Sequence, residues 1–275
     1  MSKLYVVGTP IGNLSDMSPR ALEILGSVDF IAAEDTRVTL KLLTHFDIHK
    51  PLVSYYEHNL REKGEYIVDR IAAGENCAIV TDAGMPCISD PGEDLVRLCA
   101  ERGIEVNVVP SPTAAMSALA ISGLPTSRFS FEGFLSVTKK QRSAHLDEIK
   151  DYKYTLIFYE APHKLKNTLD DLLTALGDRR ISLCRELTKI HEEVLRGKIS
   201  DMIAYYSDKT PKGEYVLVVE GAPAEEEQSG DINDAVGYAK KEIEKGKKAS
   251  EACKEAAKKF GFSKSEIYTI IIEEK

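Results

Sequence analysis

The sequence predicts an α/β protein: two α/β domains followed by a small helical tail. Three observations carry that reading. Short β-branched apolar runs alternate with helical patterns through the first third. A second set of such runs follows at uneven spacing, and a charged stretch bounded by Pro and Gly sets both apart from an alanine- and lysine-rich end. A chain of 275 residues can bury one large core or two ordinary ones.

In chain order, strands are expected at Leu4 to Val7, Phe30 to Ala33, Leu52 to Tyr55, Cys77 to Val80 and Val106 to Val109. Helices fill the gaps. Ser18 to Leu25 is one, with Ser18 able to cap and Pro19 in the first turn. Alternation of this kind reads as a mainly parallel sheet, ending near Pro110 to Thr113. The second set comprises Phe129 to Leu135, Thr155 to Tyr159, Ile181 to Cys184, Val194 to Ile199 and Tyr215 to Glu220, and its mixed connection lengths predict a mixed sheet. Residues 222 to 230 read as a linker. Beyond it, Ile232, Ala235, Val236, Ala239 and Ile243 share one helical face, and Ala249, Ala252, Cys253, Ala256, Ala257 and Phe260 share another. Gly261 can end that second helix, and Ser263 with Glu266 forms a capping box for a third. The domains are therefore placed at 1–112, 113–222 and 231–275.

Composition narrows the function. No apolar run reaches the roughly 20 residues that cross a bilayer. Met1-Ser2-Lys3 leads straight into strand-like sequence without a signal pattern, so a cytoplasmic protein with no membrane partner is expected. Five cysteines without a C-x-x-C pair, and six scattered histidines, predict free thiols and no metal. The net charge of −8 argues against a generic nucleic-acid binder. Its distribution softens the argument: residues 231–275 carry ten lysines against nine acidic residues, leaving −9 on the rest. Lys139-Lys140-Gln141-Arg142 and His163-Lys164-Leu165-Lys166 are local basic clusters, able to meet phosphates or simply to be solvated.

The most informative segment is Asp82-Ala83-Gly84-Met85-Pro86-Cys87-Ile88-Ser89-Asp90-Pro91-Gly92, which follows a strand. Its glycines admit positive φ and close approach of a ligand, and its prolines stiffen the backbone. It reads as a ligand loop at the carboxyl edge of a sheet, or else as a surface turn in which Asp82 or Asp90 caps a helix near Glu93.

That segment resembles the signature of the ribosomal RNA small subunit methyltransferase I family, a branch of the tetrapyrrole-methylase-like S-adenosylmethionine enzymes. So do Gly8-Thr9-Pro10-Ile11-Gly12-Asn13-Leu14, Glu34-Asp35-Thr36-Arg37, Phe158-Tyr159-Glu160-Ala161-Pro162-His163 and Arg185-Glu186-Leu187-Thr188-Lys189, in that order. The resemblance implies two tetrapyrrole-methylase-type domains with the cofactor, S-adenosylmethionine, in the cleft between them. Carried over by position, Gly84, Met85 and Ile88 would contact the cofactor from the 82–92 loop, and so would Thr113 and Ala114 from the segment after Pro112. Farther along the second domain the corresponding places are Tyr159 or Glu160, Leu187, and Gly213 or Glu214, with Pro10 on a loop facing the transferred methyl group. The acceptor implied is the ribose 2′-hydroxyl of a cytidine in the decoding centre of 16S ribosomal RNA, within the small ribosomal subunit. A homodimer and a helix-turn-helix-like tail are implied as well; the tail reads equally as a packing accessory.

Methyl transfer needs two reactants held in line and no covalent intermediate, which suits motifs rich in Gly, Pro, Ser and Thr. A ribose hydroxyl holds its proton tightly, so a positioned base or a neighbouring cation helps to remove it. Asp35, Arg37, Glu186 and Lys189 are the candidate catalytic residues, with His163 and His191 behind them. Each could instead serve in an internal ion pair. Three rivals stand beside this reading. A tetrapyrrole carbon methyltransferase would share the cofactor, and an RNA-binding assembly factor would not be an enzyme. A phosphotransferase is disfavoured because no Walker lysine follows Gly12.

Overall fold

The computed structural model describes residues 2–56, 58–223 and 231–273. Strands β1 (Lys3–Val7), β2 (Phe30–Ala33), β3 (Leu52–Ser54), β4 (Cys77–Val80) and β5 (Glu105–Val109) form a wholly parallel sheet in the order β3-β2-β4-β1-β5. Every residue of β2 and β4 is buried, as a sheet covered on both faces requires. On one face α1 (Pro19–Ser27) and α2 (Thr36–His45) lay Leu25 and Leu43 with Val7, Ile31 and Val80. On the other, α3 (Leu60–Ala72) and α4 (Glu93–Glu101) lay Ile67, Ile71 and Leu95 with Leu4, Phe30 and Ile79.

Local signals hold where they are self-contained. Ser18 Oγ accepts the Ala21 N–H at 3.1 Å and Pro19 occupies the first turn of α1. The alternative reading of the 82–92 loop does not hold: Gly92 is the N-cap of α4 and no side chain caps the helix, so neither Asp82 nor Asp90 serves as one. The Asp82 carboxylate accepts the Asp35 N–H instead, and that of Asp90 is left uncommitted among the described residues.

After α5 (Ala114–Ser122), strands β6 (Phe129–Phe134), β7 (Thr155–Glu160), β8 (Arg180–Arg185), β9 (Glu193–Lys198) and β10 (Tyr215–Val219) form a second sheet in the order β6-β7-β10-β8-β9. It is mixed, as expected: β6 and β7 run parallel and the other pairs antiparallel. Helices α6 (Lys139–Ile149), α7 (Leu165–Leu176) and α8 (Ile199–Tyr206) cover one face through Leu146, Leu169, Leu172 and Met202. α5 covers the other, packing Ala115, Ala118 and Leu119 with Ile157, Cys184 and Val216; Ile11, from the loop after β1, joins this cluster. Both sheets thus belong to one compact unit, Met1–Gly221.

Residues 222–275 form a second unit. In it α9 (Ile232–Glu244), α10 (Ala249–Phe260) and α11 (Lys264–Glu273) share a core of Ala235, Val236, Ala239, Cys253, Ala256, Ile267 and Ile271. The Glu266 carboxylate accepts the Ser263 N–H at 3.2 Å, which is half of the expected capping box; the Ser263 hydroxyl takes the Ser265 N–H instead. Most of the expected linker, residues 224–230, lies outside the described residues. All five cysteines are free, four of them buried and Cys87 half-buried, and burial raises their thiols above the ordinary value.

Candidate active site

Strand order fixes where a ligand can sit. β1 connects leftward to β2 and β4 rightward to β5, yet the two strands are neighbours, so their carboxyl-end loops part and leave a crevice between them. Thr9 and Gly84 bridge the loops at its floor, Thr9 N–H to Gly84 O at 2.8 Å and Gly84 N–H to Thr9 O at 3.1 Å. Gly84 sits at φ +81°, a conformation that a side chain would strain. Above lies a cavity of about 570 Å³ walled by both sheets.

The first wall is acidic. Glu34, Asp82 and Asp90 all line it. The Glu34 carboxylate accepts the Asp82 N–H at 3.4 Å, and that of Asp82 accepts the Asp35 N–H at 3.3 Å. Burial, followed by the charges of Glu34 and Asp82, pushes the Asp90 carboxyl up to about 7, and no described residue donates a hydrogen bond to it. Burial also lifts Glu34 and Asp82 above the usual carboxylate range, though each receives a backbone N–H that pulls the other way. Cys87 and Ser89 hold φ of +73° and +63° in the same loop. Left-handed non-glycine residues of this kind gather where a site demands them.

The second wall carries a cation. Lys189 Nζ donates to Glu186 Oε1 at 3.1 Å and to Glu214 Oε2 at 3.0 Å, and Glu186 Oε1 also accepts the Glu214 N–H at 3.0 Å. Burial raises the Glu186 carboxyl, but these donors outweigh it and hold the group below its ordinary value. Burial lowers Lys189, but its two carboxylates win and hold it above. Glu186 and Thr188 have φ of +52° and +65°.

The expected cofactor contacts Gly84, Met85, Ile88, Thr113, Ala114, Tyr159, Glu160, Leu187 and Glu214 all line the cavity, as do Glu186 and Lys189. Among them the Glu160 carboxylate is turned away, taking the Ala161 N–H at 2.8 Å and the Thr168 hydroxyl at 2.5 Å. The Thr113 hydroxyl caps α5 by accepting the Met116 N–H at 3.2 Å, and Tyr159 Oη accepts that of Ala115 at 3.3 Å. Pro10 and Gly213 lie beside the lining rather than in it. Pro10 stands between Thr9, in the bridge, and the lining residue Ile11, and a side chain on Gly213 would meet Glu186 at 2.6 Å. Asp35 and Arg37 are outside the lining and paired with each other at 2.6 Å, an interaction that holds Asp35 down at about 2. His163 lines the cavity and His191 does not.

Sequence reasoning had not assigned Asp90 or Glu34 a chemical role, nor singled out Phe134, which also lines the cavity. For Asp90 the signal was present in the loop itself. The basic cluster 139–142 divides: Arg142 is spent on Asp171 at 2.6 Å and on the Ser136 and Val137 carbonyls, whereas Lys139 and Lys140 are exposed and have no partner among the described residues. Lys166 donates to the Ser207 carbonyl at 3.1 Å.

A family model described as Tetrapyrrole (Corrin/Porphyrin) Methylases matches residues 3–203. The chain is 48% identical over 274 residues to the ribosomal RNA small subunit methyltransferase I of Halalkalibacterium halodurans, covering 98% of this chain and 95% of that one. It is 45% identical to the protein of the same name from Synechocystis, covering 99% and 98%. A third bearer of that name, from Thermotoga maritima, is 48% identical over 221 residues, which make up 80% of this chain and 99% of that protein. Among solved structures, a diphthine synthase superposes with a TM-score of 0.61 at 13% identity, covering 80% of this chain and 90% of that one. A cobalt precorrin-4 methyltransferase superposes with 0.59 at 18% identity, covering 79% and 94%. These structural likenesses concern the fold.

Proposed function

This chain belongs to the ribosomal RNA small subunit methyltransferase I family of the tetrapyrrole methylases, and from that premise we propose that it methylates the ribose 2′-hydroxyl of a cytidine in the decoding centre of 16S ribosomal RNA. The donor of the family is S-adenosylmethionine, and the cavity fits it. A volume of about 570 Å³ suits a ligand of that size. Met85, Ile88, Leu187 and Val216 offer apolar wall, and the unneutralised carboxylates of the first wall suit a cation. When bound, the donor supplies an electrophilic methyl group and leaves as a neutral thioether.

The observation that carries the reading is Asp90, a carboxylate inside the cavity that no described residue binds. A carboxyl that titrates near neutrality can take the proton from an acceptor hydroxyl as the oxygen is alkylated. Asp90 is therefore assigned as the proton acceptor. Glu186 and Glu214, which share the Lys189 ammonium, hold the second wall in place. Gly84 and the Thr9 bridge hold the floor.

The acceptor is taken to be presented by an assembled small subunit, because a net charge of −8 gives the protein little general affinity for RNA. A cytoplasmic homodimer completes the reading. α5 leaves Met116 and Ile121 exposed, and the strands before and after it expose Val108 and Phe129, apolar surface that a second copy can cover. The test compares transfer of labelled methyl to small subunits, naked ribosomal RNA and a porphyrin precursor, with nuclease mapping of the product. Label on a 2′-O-methylcytidine is expected. Label on the porphyrin or on a base overturns the assignment.

A further inference from the structure

Strand β6 carries an irregularity whose product is a single aromatic ring. Phe131 pairs with Ile157, then Gly133 with Phe158 and Phe134 with Tyr159, so Glu132 is one residue too many for the ladder. Side chains alternate along a regular strand, so Phe131 and Phe134, three residues apart, would face opposite ways if β6 ran without the bulge. With it, both rings stand edge-on to Tyr159, at 5.0 and 5.5 Å between centroids. The bulge is anchored. Gly133 supplies φ of +62°, and the Glu132 carboxylate is held by His145 Nε2 at 2.8 Å and by the Ser130 hydroxyl. Tyr159, on which Phe134 rests, is itself fixed through its hydroxyl to the Ala115 N–H.

This construction ends in an unfinished contact. Phe134 lines the same cavity as Asp90 yet remains 56% exposed, more than half of its surface left open to a ligand. Five residues on, Lys139 and Lys140 open α6, exposed and without a partner among the described residues. An open ring followed by uncommitted ammonium groups is how proteins hold a single-stranded nucleotide, the base on the ring and the phosphates on the cations.

We propose that Phe134, aimed by the β6 bulge, is the platform on which the base of the acceptor nucleotide stacks, with Lys139 and Lys140 receiving the phosphates that flank it. The proposal rests on RNA being the acceptor, as argued above. It also explains why the ring is built at the cavity mouth: a stacked base anchors its own ribose beside Asp90.

Phe134→Ala, Phe134→Leu and Phe134→Trp test it. Each is assayed for transfer to small subunits, for S-adenosylmethionine affinity by calorimetry and for thermal stability. Losing one stacked base weakens binding roughly 5- to 150-fold. The KM for small subunits should rise by that factor in Phe134→Ala and Phe134→Leu and return toward the parent value in Phe134→Trp. kcat should change far less, and cofactor affinity should stay within twofold. An unchanged KM in Phe134→Ala, or a matching loss of cofactor affinity, overturns the stacking role while leaving the RNA reading intact. A parent protein that neither binds nor methylates small subunits overturns both.

Discussion

The cavity is bounded by two acidic groupings of similar composition and opposite condition. On the first wall Glu34, Asp82 and Asp90 face one another with no cation bonded to them among the described residues; burial makes their carboxyls titrate high, although Arg37 pulls Asp82 the other way. On the second, Glu186 and Glu214 share Lys189, and Glu186 titrates low. Residue type does not separate a catalytic carboxylate from a structural one. The partner does: a matched charge is locked, and an unmatched one keeps a proton to exchange near neutral pH.

The comparison is broken most forcefully at Asp90. Asp90→Asn should lower methyl transfer by about 10²- to 10⁴-fold, the usual contribution of a general base. In the parent protein the rate should climb as pH rises through about 7, because Asp90 must be ionised to accept a proton. Burial, with the charges of Glu34 and Asp82 after it, keeps that midpoint high. A parent rate flat from pH 5.5 to 8.5 would remove Asp90 from the chemistry. Stability should move the other way. Because folding raises this carboxyl, its ionisation opposes the fold: the penalty is absent below pH ~4, grows between ~4 and ~7, and is complete above. Asp90→Asn should therefore be more stable than the parent at pH 8, by about 1 kcal/mol once partial exposure is discounted, or roughly 2–4 °C in Tm, and no more stable at pH 4. Melting curves at the two pH values decide.

Next in size is Gly84→Val. Its φ of +81° is costly for any branched residue, and the strain of about 1–3 kcal/mol falls on the bridge to Thr9. S-adenosylmethionine binding should weaken at least tenfold by titration while circular dichroism remains that of a folded protein. Unchanged affinity would detach this loop from the cofactor.

The same distinction between free and spent charge sorts the basic cluster. Lys139→Ala with Lys140→Ala should flatten the salt dependence of RNA binding by up to about 0.9 in log–log slope per lost contact for duplex-like RNA and about 0.7 for a single strand. Arg142→Ala should leave the slope alone and cost stability instead, since its guanidinium already serves Asp171 and two carbonyls. Equal slopes for the two variants would abolish the distinction. The smallest effect belongs to Lys189→Met. It leaves two carboxylates unmatched at a partly exposed position and should cost about 1 kcal/mol. The pH profile of transfer should keep its midpoint, and a shifted midpoint would make Lys189 part of the chemistry after all.

Much of this molecule was legible before its structure. The strands fall where apolar, β-branched runs predict them, because burial on both faces leaves little room for other residues in β2 and β4. Ser18 and Pro19 announce α1, and Ala235, Val236 and Ala239 announce the inner face of α9, because helix starts and amphipathic stripes are written in neighbouring residues. The loop Asp82 to Gly92 could be read as a ligand loop from its glycines and prolines, and it lines the cavity.

What the sequence alone determined, then, is the set of elements, the mixed character of the second sheet, and the turn-rich loop that lines the cavity, since each follows from interactions a few residues long. The tertiary structure decided which charges are matched. Arg37 takes Asp35 locally, but Lys189 reaches Glu214 and Arg142 reaches Asp171 across the fold, while Asp90 meets the like charges of Asp82 in its own loop and of Glu34 in the loop after β2. It also decided the bulge at Glu132, whose extra residue exists only relative to the neighbouring strand. Partners distant in sequence are supplied by the folding of the chain, and a charge or an aromatic ring acquires its role from them.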